Sequence, residues 1–217
     1  MLNAHTRSLV NILRNDDKKS RLRASPLDMQ PPLNHCQVCG GTLHQSTPEG
    51  DQMPRMVCRQ CGHVHYVNPK VVTGCIPQWE GKIMLCKRGI EPRLGHWTLP
   101  AGFLELGESC IQGAARETWE EARSEVDIGP LFSFINVLYI GQIHLFYLAE
   151  MRSSSFEITP ESTEIMLLDE DEVPWDDLAF ATVRFTLKRF FEDRRRGQFN
   201  FHTEDFTHFP HRLTDDN

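Results

Sequence analysis

The chain has 217 residues, 40% of them hydrophobic, and 30 acidic against 23 basic side chains give it a formal net charge of −7. That length holds one ordinary domain and a small one. No apolar run approaches the ~20 residues a membrane span needs, and the acidic balance argues against broad electrostatic binding to nucleic acid.

Residues 1–33 differ from the rest. Met1–Asn15 has no acid, carries Arg7 and Arg14, and sets Leu2, Leu9 and Leu13 near one helical face, as an organellar presequence does. Asp16, Asp17 and Asp28 fit a polar tail instead, and Pro26, Pro31 and Pro32 mark a linker. The chain is expected in the cytoplasm, or in an organelle if this extension is a targeting peptide.

Residues 34–67 hold Cys36-x2-Cys39 and Cys58-x2-Cys61. Two such turns complete a tetrahedral four-sulfur zinc site. Gly40 and Gly62 each follow a second cysteine and supply the left-handed turn such knuckles need. Too short to build a core, the segment needs a metal staple. Free cysteines or a redox pair are the alternatives. His35, His44, His63 and His65 are read as bystanders, since four sulfurs already satisfy zinc. With Arg55 and Arg59 as its basic residues, the ribbon suits a structural or dimerisation role better than nucleic-acid binding.

From residue 68 to 210 the pattern becomes α/β. Apolar strands are expected at Val71–Ile76, Lys82–Lys87, Trp97–Ala101, Glu125–Ile128, Leu131–Tyr139, Gln142–Glu150 and Thr163–Leu168. Val183, Leu187, Phe190 and Phe191 show helical spacing over Thr182–Arg196, with Gly197 as the stop. Cys75, Cys86 and Cys110 sit in apolar segments and read as core thiols. Residues 211–217 are assigned to a tail.

The chemistry concentrates in Gly102–Ser124. In Arg116-Glu117-Thr118-Trp119-Glu120-Glu121 the carboxylates fall at i, i+3 and i+4, on one helical face within about 6 Å of each other. Like charges there destabilise a bare helix by a few tenths of a kcal/mol per pair, and hard divalent cations reverse that. Arg116 can reach back to Glu108 or across to a helix carboxylate. A solvated acidic face is the competing reading.

Gly102, Glu108, Arg116, Glu117, Glu120 and Glu121 stand in the register Gly-x5-Glu-x7-Arg-Glu-U-x-Glu-Glu-x-Gly-U, with U apolar. This pattern resembles the Nudix box. Thr118, Arg123 and Ser124 depart from it, at the first apolar position, the glycine and the last apolar position. A four-cysteine ribbon followed by Asn-Pro-Lys and Trp-Thr-Leu-Pro-Ala-Gly-Phe-Leu-Glu extends the resemblance to zinc-ribbon Nudix hydrolases, among them ADP-ribose and FAD pyrophosphatases.

The resemblance implies an α/β/α sandwich with a mixed sheet behind the zinc ribbon. It implies an enzyme that cleaves the pyrophosphate bond of a nucleoside diphosphate derivative, ADP-ribose or FAD first, releasing AMP. NADH, NAD⁺ or NAD-capped RNA is the alternative substrate class, and a silent nucleotide sensor the non-enzymatic one. Mg²⁺ or Mn²⁺ would sit on Glu117, Glu120, Glu121 and the Gly102 carbonyl, with Arg116 orienting the carboxylates. Glu164 matches an extra glutamate that serves some relatives as base or ligand. Arg88 and Arg93 are candidates to steady the diphosphate, Phe103 and Trp97 to stack on a base, and Glu105 to assist the metal. A homodimer acting on a nucleotide small molecule, away from membranes, completes the expectation.

Overall fold

The computed structural model describes residues 33–208. The expectations for residues 1–32 and 211–217 lie outside them. Two sheets divide the strands. β1 (Leu43–Ser46), β2 (Arg55–Cys58) and β3 (Val64–His65) form a small antiparallel meander. Its strands are too short to bury a core, so the cysteine turns close it: Gly40 N donates to Cys36 O (2.8 Å) and Gly62 N to Cys58 O (3.0 Å). Gly40 and Gly62 take φ of 75° and 72°, a region that costs an L side chain about 1–2 kcal/mol.

The larger sheet contains β4 (Lys70–Trp79), β5 (Lys82–Arg88), β6 (Trp97–Thr98), β7 (Ala101–Phe103), β8 (Val126–Val137), β9 (Gln142–Met151), β10 (Ser162–Leu168) and β11 (His202–Phe206). Its order is β10-β5-β4-β9-β8-β11, with β6 on β5 and β7 on β4. The β4–β9 and β8–β11 pairs are parallel and the others antiparallel, so the sheet is mixed. Helices α1 (Cys110–Ala122) and α2 (Ala181–Arg196) cover its two faces.

Side-chain alternation assigns the faces. Met84 and Cys86 of β5 join Cys75, Ala114 and Ala122 on the α1 side. Ile83 and Leu85 join Ile76, Val183, Leu187, Phe190 and Phe191 on the α2 side. Each of those large α2 side chains is essentially inaccessible, a burial worth about 1.5–3 kcal/mol apiece. The layers are α/β/α, as the resemblance implies.

Three elements differ from their sequence reading. Trp97–Ala101 is not one strand. It breaks at Leu99-Pro100 into β6 and β7, which pair with different partners, and Gly102 lies within β7. Pro100, with no N–H to give a ladder, instead accepts from Cys75 N (3.3 Å). The segments Glu125–Ile128 and Leu131–Tyr139 merge into β8, which carries two register shifts around Gly129-Pro130. Such bulges absorb the odd residue while keeping the strand continuous. Finally, β11 forms parallel to β8 where the sequence reading placed no strand.

Candidate active site

Helix α1 carries the acidic cluster, and local chemistry fixes both of its ends. Ser109 and Gln112 make a reciprocal capping box, Gln112 N to Ser109 Oγ at 3.2 Å and Ser109 N to Gln112 Oε1 at 2.8 Å. At the other end Arg123 adopts φ 53° and its N–H bonds Trp119 O at 2.8 Å. The box pattern has glycine here, and Arg123 occupies the same left-handed conformation that makes glycine favourable. Thr118, at an apolar position of the box, is fully buried. Its hydroxyl donates to Ala114 O (2.8 Å) and lies 3.1 Å from Cys75 Sγ, tying α1 to β4. The departures from the pattern thus leave the course of the helix intact.

Arg116 gathers the cluster. Its guanidinium meets Glu108 through Nη2 at 2.7 Å and Nε at 3.0 Å, and its Nη2 also donates to Phe103 O at 3.0 Å. Nη1 reaches Glu117 at 2.7 Å and Glu120 at 2.9 Å. Both partners proposed from the sequence are therefore used together. Arg116 and the Glu105 amide hold the Glu108 carboxyl down to about 2.

Glu117 and Glu121 are buried, whereas the Glu120 side chain is about half exposed. The Glu117 carboxylate lies against the backbone of Gly102. Burial, then the neighbouring Glu117 charge, pushes the Glu121 carboxyl up to about 8, against the pull of Arg88 and the Ala101 amide. Burial also raises Glu117, with Arg116 opposing. Four glutamates around one arginine leave an excess of negative charge, two of those carboxyls being shielded from water. Such an all-oxygen donor set fits a hard divalent cation.

Glu164 and Glu161 part company. Glu164 pairs with Lys87 Nζ at 3.0 Å and its side chain is half exposed. Glu161 is the acid of this segment whose charge raises both Glu117 and Glu121, and its carbonyl accepts from Gly89 N at 2.7 Å. No sequence signal separated the two: Glu161 lies in the turn before β10 and Glu164 within that strand, beside Lys87 of β5.

Arg88 ends β5 with its guanidinium 5.2 Å above the Phe180 ring and Nε donating to Pro92 O at 2.8 Å. Its charge lowers the Glu121 carboxyl. Arg93, at φ 64°, stands near Tyr139, whose phenol burial raises and Arg93 lowers. Trp97 packs in the core, while Phe103 is half exposed with Lys70 Nζ 5.3 Å from its ring. Glu105 contributes its amide to Glu108.

In the ribbon the four Sγ atoms of Cys36, Cys39, Cys58 and Cys61 lie within 4.8 Å of one another. Amides of Gln60 and Cys61 point at Cys58 Sγ, both at 3.4 Å, and the Cys61 amide leads in drawing that thiol down to about 6. Four sulfurs gathered this closely fit zinc. His65, read as a bystander, is buried with Nε2 3.4 Å from Cys36 Sγ, so it supports a ligand without being one.

A family model for the Nudix N-terminal zinc ribbon matches residues 34–67, and one for the NUDIX domain matches residues 68–194. A NUDIX hydrolase structure from Nitrosomonas europaea is 45% identical, with a TM-score of 0.77 over 80% of this chain and 98% of that one. An ADP-ribose pyrophosphatase from Streptococcus suis shares the fold at 20% identity and a TM-score of 0.51, over 64% of this chain and 99% of its own. Among curated proteins, the NAD-capped RNA hydrolase NudC of Photobacterium profundum is 32% identical over 132 residues, 60% of this chain and 46% of that protein. A MutT-like protein of Streptomyces ambofaciens is 30% identical over 47% of this chain and 64% of its own. The chain thus spans less than two thirds of these curated relatives. With 127 of its residues in the NUDIX match and the ribbon match directly before it, the chain belongs to the Nudix family.

Proposed function

We propose that this chain hydrolyses the pyrophosphate bond of a nucleoside diphosphate joined to a second group, ADP-ribose or FAD first, and releases AMP. The observation that carries this reading is the seating of buried Glu117 and Glu121 against β7, with Glu120 beside them and Arg116 bridging Glu117 and Glu120.

Glu117, Glu120 and Glu121, with the Gly102 carbonyl, would hold Mg²⁺ or Mn²⁺. When bound there, the metal neutralises diphosphate oxygens and lowers the pKa of a coordinated water. Arg116 fixes Glu117 and Glu120 through one nitrogen and is itself anchored on Glu108, so the carboxylates are positioned before substrate arrives. Glu161, whose charge acts on Glu117 and Glu121, joins Glu164 as a candidate proton acceptor. Arg88 and Arg93 offer cations to the substrate phosphates.

The similarity to a NAD-capped RNA hydrolase favours a second reading, in which the nucleotide is NADH, NAD⁺ or an NAD-type end on RNA. Cys36, Cys39, Cys58 and Cys61 would hold structural zinc in either case. Chromatographic product analysis on ADP-ribose, FAD and NADH with Mg²⁺ separates the readings. AMP from ADP-ribose or FAD supports the first, and AMP from NADH alone transfers the assignment to the second.

A further inference from the structure

At the end of β5 lies a second group of side chains that the box pattern does not include. Residues Cys86 and Lys87 of β5 face Thr98 and Trp97 of β6. The same register brings Arg88 opposite His96, sealed by Arg88 N to His96 O at 2.9 Å and Gly95 N to Arg88 O at 2.8 Å. Directly opposed residues in an antiparallel pair project to the same side, with Cβ atoms about 4.5–5.5 Å apart.

Each of the two side chains is oriented by something other than its neighbour. The His96 ring is fixed by Asp177, Nδ1 to Oδ1 at 2.7 Å, and Nε2 has no hydrogen-bond partner among the described residues. The Arg88 guanidinium stacks on Phe180 and uses Nε on Pro92 O. Among the described residues no carboxylate is within ion-pair range of Arg88 and neither terminal nitrogen makes a hydrogen bond. Arg116, Arg152, Arg189 and Arg195, by contrast, pair with acids. A guanidinium left with its two-nitrogen fork open matches the geometry of a phosphate. Cys86 of β5 belongs to the α1-side core, and Arg88, two residues on in the same strand, projects to that side as well, where its charge lowers the Glu121 carboxyl.

We propose that His96, oriented by Asp177, joins Arg88 as a phosphate-binding pair that grips the substrate phosphate lying away from helix α1. This deepens the hydrolase reading and rests on it. It makes the cleft bipolar, with carboxylates on one wall and a guanidinium–imidazole pair on the other. It also selects substrates with two linked phosphates over those with one.

The test is steady-state kinetics on ADP-ribose with Mg²⁺ for wild type, His96→Ala, Asp177→Asn and the double variant. The same four backgrounds are also tested for binding of ADP and of AMP by calorimetry, each carrying Glu121→Gln. Expected is a rise in KM of about tenfold for His96→Ala with kcat within about threefold, the pattern of lost binding spread over ground and transition states. Asp177→Asn moves KM in the same direction by less, and the double variant is no worse than His96→Ala, since coupled residues are not additive. ADP binding weakens in parallel while AMP binding changes little. Wild-type turnover with an unchanged KM in His96→Ala overturns this proposal alone. A wild-type chain that releases no nucleoside monophosphate from any diphosphate overturns the hydrolase reading and this proposal together.

Discussion

The carboxylate of Glu117 stands against Gly102 so closely that a β-carbon at position 102 would overlap it. Glycine is required there by this approach, since its backbone conformation is ordinary extended strand. The Gly102→Ala chain should fold, because the obstructing atoms are the end of a side chain that can swing away. Displacing that carboxylate by about 1 Å should lower kcat about 10²-fold. Thermal unfolding close to wild type together with that loss checks the prediction, and an unaltered kcat contradicts it.

Arg116 is a positioning residue for three carboxylates. Replacing it by alanine leaves Glu117 and Glu120 without their shared donor, and Mg²⁺ affinity should fall about 10–100-fold, as losses of supporting partners do. Calorimetric titration of the metal into the zinc-loaded protein measures it. Arg116→Lys should recover only part of the loss, because an ammonium cannot span Glu108 and the helix acids as a planar fork does.

Metal binding at the cluster should be linked to pH. The Glu121 carboxyl is raised by burial and then by the Glu117 charge to about 8, so below that pH a proton occupies the ligand. Mg²⁺ affinity should therefore climb as pH rises toward 8 and release protons on binding. In Glu121→Gln this part of the pH slope should vanish.

The His144 ring, buried between Gln142 and Thr182, gives a separate pH effect on stability. Burial lowers it from 6.5 to about 4. Between those values the unfolded chain binds a proton that the folded chain does not, so stability is lost as pH falls through that window and levels off below it. The loss amounts to up to about 3 kcal/mol. Urea midpoints at pH 7 and pH 4.5 for wild type and His144→Gln should diverge, with the variant less pH-dependent.

Much of the site was legible because its chemistry depends on local spacing. Glu117, Glu120 and Glu121 share a face by helical period alone, and the paired Cys-x2-Cys turns announce a four-sulfur cluster. Contacts over long separations were not legible. Pro100 splits what reads as one apolar strand, and the pairing of β10 with β5 sets Glu164 beside Lys87. Strand β11 carries polar residues on one side and gave no apolar alternation. It is held by Asp193 of α2, a fully buried carboxylate that accepts from Asn200 N at 2.7 Å and sits 2.8 Å from His202 Nε2. Asp193→Asn should cost about 1–3 kcal/mol, read as a lowered urea midpoint, although nothing in the sequence pattern marks that residue.

The central claim is that the α1 carboxylates serve the hydrolysis of a nucleoside diphosphate linkage. Its most direct test is product analysis with Mg²⁺ on ADP-ribose, FAD, NADH and a nucleoside triphosphate, with wild type beside Glu121→Gln. The account predicts AMP from at least one of the linked diphosphates with wild type, and none with the variant. No release from any of them by a folded, zinc-loaded chain, or equal release by the variant, would contradict it.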